Sequence, residues 1–209
     1  MKSIPGRLRL VVASANPDKA REMHEILSAV LGDRVELVAR PAEAPVVEED
    51  GETLEDNARL KARAVRAVTG LSALADDTGL EVDSLGGLPG VRSARYAGPE
   101  GIAGNNIAKV LAALEGCDDR RARFRTVALA AMVDGAELVA TGELRGTIAT
   151  AARGAGGFGY DAVFLPDGGD GRTLAEMGAD EKHEISHRGR ALRELAGLLA
   201  AYLAGDARA

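Results

Sequence analysis

The chain has 209 residues and a net charge of -6 at pH 7, with 46% hydrophobic and 28% charged residues. This length suits one large domain or two small lobes that share a core. The acidic balance argues against binding to nucleic acid or to an anionic membrane, because phosphate-rich surfaces require clustered Lys and Arg. A small anionic ligand in a local basic pocket remains compatible with it.

A single cysteine, Cys117, excludes an intrachain disulfide and a cysteine-based zinc site. It therefore indicates a reducing compartment. Pro5 and Gly6 interrupt the apolar run of the opening segment, which shows no cleavage site, so we expect no signal peptide. No stretch approaches the roughly 18 apolar residues of a membrane span. We expect a cytoplasmic protein with no membrane partner.

The first part of the chain alternates strands and helices. We predict a strand at 7–14, a helix at 16–31, a strand at 35–40, an acidic loop at 41–51, a helix at 53–68 and a strand at 71–76. Asn16 is a suitable N-cap for the first helix, and Pro17 occupies its first helical position. The β-α-β-α-β order predicts parallel pairing of these strands.

The second part of the chain mixes antiparallel and helical signals. A glycine-rich connector at 85–101 is followed by a predicted helix at 104–115, strands at 123–133 and 136–149, a glycine turn and strand at 154–166, and a helix at 189–203. The dipeptide Asp134-Gly135 is a strong hairpin signal between two of these strands. We predict an α/β fold with a mixed sheet flanked by helices, in a single domain 1–209. Its ends, 1–6 and 204–209, are expected to be frayed.

The first strand ends in the sequence SANPDK, residues 14–19. A strand that leads into a helix N-terminus offers backbone N–H groups and the helix dipole to a phosphate. Lys19, in the first turn, would place a cation beside that phosphate. The alternative is a capped helix with a solvated lysine.

Two acidic stretches indicate a metal site. The loop sequence VVEEDGE contains Glu48, Glu49, Asp50 and Glu52, and the strand predicted at 71–76 runs into Asp76 and Asp77. Carboxylates from a loop and a strand end suit Mg²⁺. Because neighbouring side chains of a strand point to opposite faces, at most one of the two aspartates is the innermost ligand or base. The alternatives are a solvated acidic run and a plain strand-to-turn junction.

The sequence GAGGFGYD, residues 154–161, surrounds Phe158 with glycines. Such a loop lets the backbone approach a ligand, and Phe158 offers a flat face on which a base can stack. A tight structural turn is the alternative. The segment is not a P-loop, because no Gly-Lys-Ser/Thr follows, and it is not a dinucleotide fingerprint, because no helix follows.

The segment DEKHEISHRG, residues 180–189, gathers cationic groups before the last helix. His183 and His187 are four residues apart, the spacing of a helical metal-binding pair. Ser186 and Gly189 instead suggest a turn, and the neighbouring sequence offers no third ligand. Lys182 suits the charge of a phosphate, and Arg188 suits a carbonyl acceptor.

Four segments, SANPDK, ADDTGLEVDSLGGLPGVRSARYAG, GGFGYD and EKHEISHRG, occur together in this order. In that order and spacing the chain resembles the inosine triphosphate pyrophosphatase family from Ser14 to about Ala200. The resemblance implies an elongated α/β fold with two lobes and a deep nucleotide cleft, and a homodimer. It also implies Mg²⁺-dependent hydrolysis of ITP, dITP and XTP to the monophosphate and pyrophosphate.

The resemblance also implies roles for individual residues. Asp77 would be the general base and a metal ligand, with Asp76 as its support, and either Glu48 or Glu49 fits as the second metal ligand. The triphosphate would be held by Ser14, Ala15, Asn16, Pro17, Asp18, Lys19 and Lys61. Further nucleotide contacts would come from Thr78, Phe158, Gly159, Tyr160, Asp161, Lys182, His187 and Arg188.

Two other functions fit part of this pattern. A pyrophosphatase of related fold could prefer pyrimidine or modified nucleotides, although the SHRG sequence is typical of the purine group. A non-catalytic nucleotide sensor could use the same residues. The presence of Asp77, the acidic loop and Lys19 favours an enzyme over a sensor.

Overall fold

The computed structural model describes residues 7–205. The predicted fraying of residues 1–6 and 206–209 lies outside the described residues. Ala204, which was predicted to belong to a frayed end, is instead the last residue of a helix. Among residues 7–205, no helix combines the length and the apolar character needed to cross a membrane.

The described residues form five α-helices and seven strands, besides short 3-10 turns. The strands are β1 (Leu8–Val12), β2 (Val35–Ala39), β3 (Ser72–Val82), β4 (Pro89–Gly90), β5 (Arg121–Ala131), β6 (Glu137–Ile148) and β7 (Phe164–Pro166). The helices are α1 (Pro17–Leu31), α2 (Leu54–Thr69), α3 (Ala103–Ala113), α4 (Ala179–Ile185) and α5 (His187–Ala204).

All seven strands belong to one sheet of order β2-β1-β3-β5-β6-β7, with β4 paired to β3. The strand β1 pairs in parallel with both of its neighbours, so that Leu10 lies opposite Leu37 on one side and Ser72 on the other. β4 and β7 pair antiparallel with β3 and β6. The structure therefore confirms the α/β fold and the mixed sheet.

The strand that carries the two aspartates is longer than its sequence predicted. The prediction that it ends at Asp76 is wrong, because β3 continues to Val82. Leu80 and Val82 are completely buried, and Leu80 pairs with Gly90 on β4, so this stretch is held by both packing and backbone hydrogen bonds. Thr78 is consequently a strand residue, and both aspartates lie inside the strand.

The segment before the last helix is also more helical than predicted. Residues 179–185 form α4, and α5 begins at His187 instead of at 189. Ser186 has an extended backbone, with φ -64° and ψ 150°, which breaks the chain into two helices. His183 and His187 are therefore on different helices and do not form a helical metal-binding pair.

The chain divides into two compact units. The first comprises Met1–Asp77, Val127–Thr141 and Gly189–Ala209, and the second comprises Thr78–Thr126 and Gly142–Arg188. An aliphatic core fills the first unit, where Met23 and Leu27 of α1 pack in one cluster with Leu10 of β1. The second unit has the aromatic core, which contains Phe124, Tyr160 and Phe164.

Close strand pairing positions the aromatic core of the second unit. Gly146 of β6 lies opposite Pro166 of β7. A Cβ atom at Gly146 would overlap the carbonyl oxygen of Leu165 and would lie 2.8 Å from Cε1 of Phe164. The missing side chain thus allows the Phe164 ring to reach Phe124, and the two ring centroids are 4.7 Å apart.

Candidate functional site

The first unit contains a cluster of two buried residues, Asn57 and Asp77, and two half-buried ones, Glu49 and Lys61, here called the lysine–carboxylate cluster. The Nζ atom of Lys61 lies 3.1 Å from Oε1 of Glu49 and 3.1 Å from Oδ1 of Asp77. Burial alone would lower the pKa of Lys61. The charges of Asp77, Asp76 and Glu49 outweigh burial, so the pKa of Lys61 is raised and its ammonium stays charged.

Asn57 connects the acidic loop to Asp77. Its Nδ2 donates to Oδ2 of Asp77 at 3.1 Å, and its Oδ1 accepts from the backbone N–H of Gly51 at 2.9 Å. Asn57 is completely buried. Since Asn57 and Lys61 are four residues apart on α2, they project from the same face of the helix. Together they supply a donor to each oxygen of Asp77.

The helix that carries these two residues is anchored along its length. A capping box starts α2, in which Thr53 Oγ1 accepts from the N–H of Asp56 and Oδ2 of Asp56 accepts from the N–H of Thr53. Further along, Arg59 and Arg63 donate to the carboxylate of Glu137 at 2.9 and 2.6 Å. These contacts hold α2 in place on β6.

The start of α1 differs from the predicted open anion site. Asn16 caps the helix, and its Oδ1 accepts from the backbone N–H of Asp18 at 2.9 Å and of Lys19 at 3.1 Å. The structure confirms the predicted N-cap, but these two N–H groups are already bonded within the cap. The Lys19 side chain is paired with Asp76, with Nζ 3.7 Å from Oδ1, and is therefore not the solvated lysine of the alternative.

The two aspartates have different partners. Asp76, whose side chain is completely buried, is paired with Lys19 of α1, whereas Asp77 contacts Asn57 and Lys61 of α2. This division agrees with the alternation of side chains along a strand. Only Asp77 belongs to the cluster that also contains a residue of the acidic loop, Glu49.

The acidic side chains of the loop also differ from one another, in this case in their exposure. Glu49 is half-buried against Lys61, whereas the side chains of Glu48, Asp50 and Glu52 are exposed. Within residues 7–205, no group of three or more His, Cys, Asp or Glu side chains is arranged to hold a metal. Two carboxylates on one side of a site nevertheless suit Mg²⁺, which usually binds one or two protein carboxylates and completes its shell with waters and substrate phosphates.

The second unit contains a cluster of Phe158, Asp161, Lys182 and Arg188, here called the Phe158 cluster. Oδ2 of Asp161 accepts from the Phe158 backbone N–H at 2.8 Å and from Nζ of Lys182 at 2.9 Å. Nζ of Lys182 and Cζ of Arg188 lie 4.9 and 5.3 Å from the centroid of the Phe158 ring, within cation–π range. The cluster presents one half-buried aromatic ring with two cations beside it.

Local backbone geometry explains two residues of the glycine loop. Gly157 has φ +67°, and a Cβ atom there would overlap Oδ2 of Asp161, so glycine is needed for the carboxylate to reach the loop. Tyr160 was predicted to contact the nucleotide, but its side chain is 5% exposed and donates to the carbonyl of Ser93 at 2.9 Å. Burial, followed by the nearby Tyr96, raises the pKa of Tyr160. Its phenol is a neutral part of the core.

Hydrogen bonds through two threonine hydroxyls connect three further predicted residues, Thr78, His187 and Arg188. Arg188 Nη2 donates to Thr78 Oγ1 at 3.2 Å, and Thr78 Oγ1 lies 2.8 Å from Thr126 Oγ1. Thr126 Oγ1 lies 2.6 Å from Nδ1 of His187. The His187 ring is stacked on Phe124, with centroids 4.5 Å apart. The structure thus connects Thr78, His187 and Arg188, which the sequence had related only by resemblance.

Two residues that contact the predicted site residues, Asn57 and Thr126, were not predicted from the sequence. Asn57 had a usable signal, because it precedes Lys61 by four residues on an amphipathic helix and its face is otherwise buried. Thr126 had a weaker one, as a polar residue at a buried position of a strand whose other buried residues are apolar. Neither signal indicates which side chain the residue contacts.

Comparison with known proteins agrees with these features. Residues 10–198 match the model of the Ham1 family. A dITP/XTP pyrophosphatase from Syntrophobacter fumaroxidans is 48% identical over 188 residues, which are 89% of this chain and 79% of that protein. One from Symbiobacterium thermophilum is 46% identical over 186 residues, 88% of this chain and 91% of that protein.

Solved structures show the same fold. A HAM1 protein from Coxiella burnetii superposes with a TM-score of 0.82 at 42% identity, over 92% of this chain and 98% of that one. A nucleoside-triphosphatase, a dITP/XTP pyrophosphatase from Mycobacterium abscessus, superposes with a TM-score of 0.72 at 42% identity, over 92% of this chain and 100% of that one. The protein is therefore an α/β protein that has the same fold as these two structures. It belongs to the Ham1 family.

The buried position of Asn57 leads to a stability prediction. Replacing it by alanine (Asn57→Ala) removes the donor to the buried Asp77 and the acceptor for the N–H of the half-buried Gly51. We expect the free energy of unfolding to fall by about 2–4 kcal/mol, as the loss of one buried and one partly buried hydrogen bond implies. Urea denaturation measures this loss. The matched control is Asn105→Ala at an exposed position of α3, which should change stability by less than about 0.5 kcal/mol. Equal effects of the two substitutions would contradict the linking role of Asn57.

Proposed function

We propose that the protein is a Mg²⁺-dependent pyrophosphatase that converts the nonstandard purine triphosphates ITP, dITP and XTP to the monophosphate and pyrophosphate. Membership of the Ham1 family supports this, as does the 43–48% identity to relatives that are dITP/XTP pyrophosphatases. The observation that carries the proposal is the buried carboxylate of Asp77, held by Lys61 and Asn57 beside Glu49.

Asp77 has the surroundings of a general base. Lys61 and Asn57 donate to its two oxygens, so its orientation is fixed. Asp77 would orient a water molecule toward the α-phosphorus and accept a proton from it, after which pyrophosphate leaves. Proton acceptance by a positioned side chain typically contributes about 10²–10⁴-fold to a rate.

Asp77 and Glu49 are the residues that would hold Mg²⁺. Glu49 is preferred to Glu48 because it contacts Lys61, whereas Glu48 faces solvent. When bound, the ion would neutralise phosphate charge and stabilise the charge that develops on the departing pyrophosphate. Lys61 and Lys19 would share the rest of the triphosphate charge, each exchanging part of its present contact with a carboxylate for a phosphate oxygen.

The Phe158 cluster has the properties of a binding site for the nucleobase. Its flat ring offers stacking, and Arg188 is a planar donor suited to a ring carbonyl. Lys182 was predicted to share the phosphate charge. Because it is buried and bonded to Asp161, we assign it to holding the Phe158 loop.

The proposal also covers the oligomeric state and the cellular location of the protein. By resemblance to the family we propose a homodimer, formed from chains that each fold as a single domain. The single cysteine agrees with a cytoplasmic location. Light scattering at micromolar concentration tests the assembly, and a monomer would overturn the homodimer.

A substrate panel tests the activity. The protein should release pyrophosphate from ITP, dITP and XTP with Mg²⁺ far faster than from ATP, GTP, dTTP or UTP. Product identification by chromatography is the decisive measurement, since release of orthophosphate and a diphosphate would contradict the proposal. Faster turnover of dTTP or UTP would indicate the pyrimidine or modified-nucleotide alternative. Binding of ITP with Mg²⁺ but without pyrophosphate would indicate a sensor.

Removing the negative charge of Asp77 tests whether this residue is needed for turnover but not for nucleotide binding. Asp77→Asn keeps the size of the side chain but cannot accept the proton, so we expect turnover of ITP to fall by about 10²–10⁴-fold. Affinity for ITP, measured by calorimetry, should be largely retained. Asp83→Asn is the matched control, because Asp83 is exposed just beyond the end of β3 and should leave both quantities unchanged. Equal turnover by Asp77→Asn and wild type would remove Asp77 from the mechanism.

A further inference from the structure

The ammonium of Lys61 bridges the two carboxylates that are proposed to hold Mg²⁺. Its Nζ atom lies 3.1 Å from Oε1 of Glu49 and 3.1 Å from Oδ1 of Asp77, and the side chains of Lys61 and Asp77 are only 13% and 6% exposed. An ammonium is a cation at neutral pH and can only donate hydrogen bonds. A cation of the protein itself therefore already compensates the two candidate metal ligands.

Both oxygens of Asp77 accept a hydrogen bond from α2. Oδ1 accepts from Lys61, and Oδ2 accepts from Asn57 at 3.1 Å. A divalent ion bound to this carboxylate would have to replace one of these donors or lie beside the charged ammonium. The first arrangement takes the acceptor away from a largely buried donor, and the second brings like charges together where little water screens them. Both arrangements weaken metal binding.

The acidic loop and Asp77 have a second connection, which does not involve Lys61. Asn57 donates to Asp77 and also accepts from the backbone N–H of Gly51, two residues after Glu49. A Cβ atom at Gly51 would lie 2.7 Å from Oδ1 of Asn57, so the loop approaches α2 closely at this point. Asn57 therefore holds the loop beside Asp77 through uncharged donors and acceptors. Neutralising Lys61 removes a charge from the cluster but leaves this connection intact.

A triphosphate changes the balance of charge around Lys61. Phosphate oxygens are strong acceptors for an ammonium, so Lys61 would give up part of its contact with Glu49 and Asp77 when a phosphate binds. The two carboxylates would then lose part of their compensation, which is costly for groups with little exposure to solvent. The same event that occupies the ammonium therefore makes the carboxylates more favourable ligands for a divalent ion.

We propose that Lys61 is a positioning residue that keeps the divalent metal out of the free protein, so that metal and nucleotide bind together. This inference rests on the proposed function, because it takes Glu49 and Asp77 as the metal ligands. It adds a role for the lysine before any nucleotide has bound. Coupling between two ligands is reciprocal, so the metal must also raise the affinity of the protein for the nucleotide.

Metal binding to the free protein tests the role of Lys61 without any turnover. Mn²⁺ is a suitable probe for the Mg²⁺ site, because the sharp electron paramagnetic resonance signal of the hydrated ion is lost on binding. Lys61→Gln removes the charge and keeps a hydrogen-bond donor. We expect this variant to bind Mn²⁺ about 5–150-fold more tightly than the wild type, the usual range for coupled sites. Equal affinities, whether both proteins bind Mn²⁺ or neither does, would overturn the proposal.

Two further variants separate the position of the charge from its amount. Lys61→Arg keeps a cation at the same position, so its Mn²⁺ affinity should stay close to that of the wild type. Lys109→Met removes the same charge from an exposed position on α3, where Lys109 contacts the backbone carbonyl and the ring of Tyr96. It should leave the Mn²⁺ affinity unchanged. An increase as large as that of Lys61→Gln would show an effect of net charge and contradict the specific role.

Calorimetry measures the coupling from the side of the nucleotide. An ITP analogue whose bridge between the α- and β-phosphorus resists hydrolysis should bind the wild type about 5–150-fold more tightly with Mg²⁺ than with a chelator. An affinity for the analogue that Mg²⁺ leaves unchanged would contradict joint binding of metal and nucleotide.

The two levels of proposal fail separately. If the wild type releases no pyrophosphate from any nucleotide, the proposed function fails, and Mn²⁺ binding still decides whether Lys61 excludes a divalent ion. If the wild type is active but binds Mn²⁺ without nucleotide as tightly as Lys61→Gln, only the role of Lys61 fails. Should Lys61→Gln not fold alone, melting with increasing Mn²⁺ decides. Recovery of folding by Mn²⁺ supports the proposal, and no recovery contradicts it.

Discussion

The lysine–carboxylate cluster depends on one largely buried ammonium, that of Lys61. Asp76 and Asp77 are adjacent carboxylates inside a strand, and burying such a pair without compensation would be strongly unfavourable. Lys61 compensates Asp77 and Glu49 by direct contact, and Lys19 does the same for Asp76. The charges raise the pKa of Lys61 despite its burial, so the cation is not lost at neutral pH. The acidic loop, α1 and α2 are thereby joined to β3 by charge.

This arrangement also makes a ligand site physically reasonable. A buried ammonium that bridges two carboxylates holds them near one another while the ligand is absent. On the proposed function, phosphate oxygens would replace the carboxylates as partners of the ammonium, and a divalent cation would replace the ammonium as partner of the carboxylates. Asn57 donates to Oδ2 of Asp77, and on the proposed function this hydrogen bond would keep the carboxylate oriented during that exchange.

The sequence predicted the order of most elements, because their signals are local. The cap at Asn16, the Asp134-Gly135 hairpin and the helical spacing on α2 each act within a few residues. The end of β3 was mispredicted because it depends on pairing with β4, whose two residues carry no strand pattern. The contacts between candidate residues could not be predicted from local patterns either, because they join distant parts of the chain. Thr126 and His187, for example, are 61 positions apart.

The two clusters differ in the physical means by which they could recognise a nucleotide. The lysine–carboxylate cluster is rich in charge, and charge acts on any triphosphate regardless of its base. In the Phe158 cluster the ammonium of Lys182 is already neutralised by Asp161, and stacking on an aromatic ring accepts every base. Discrimination among bases must therefore come from directional hydrogen bonds.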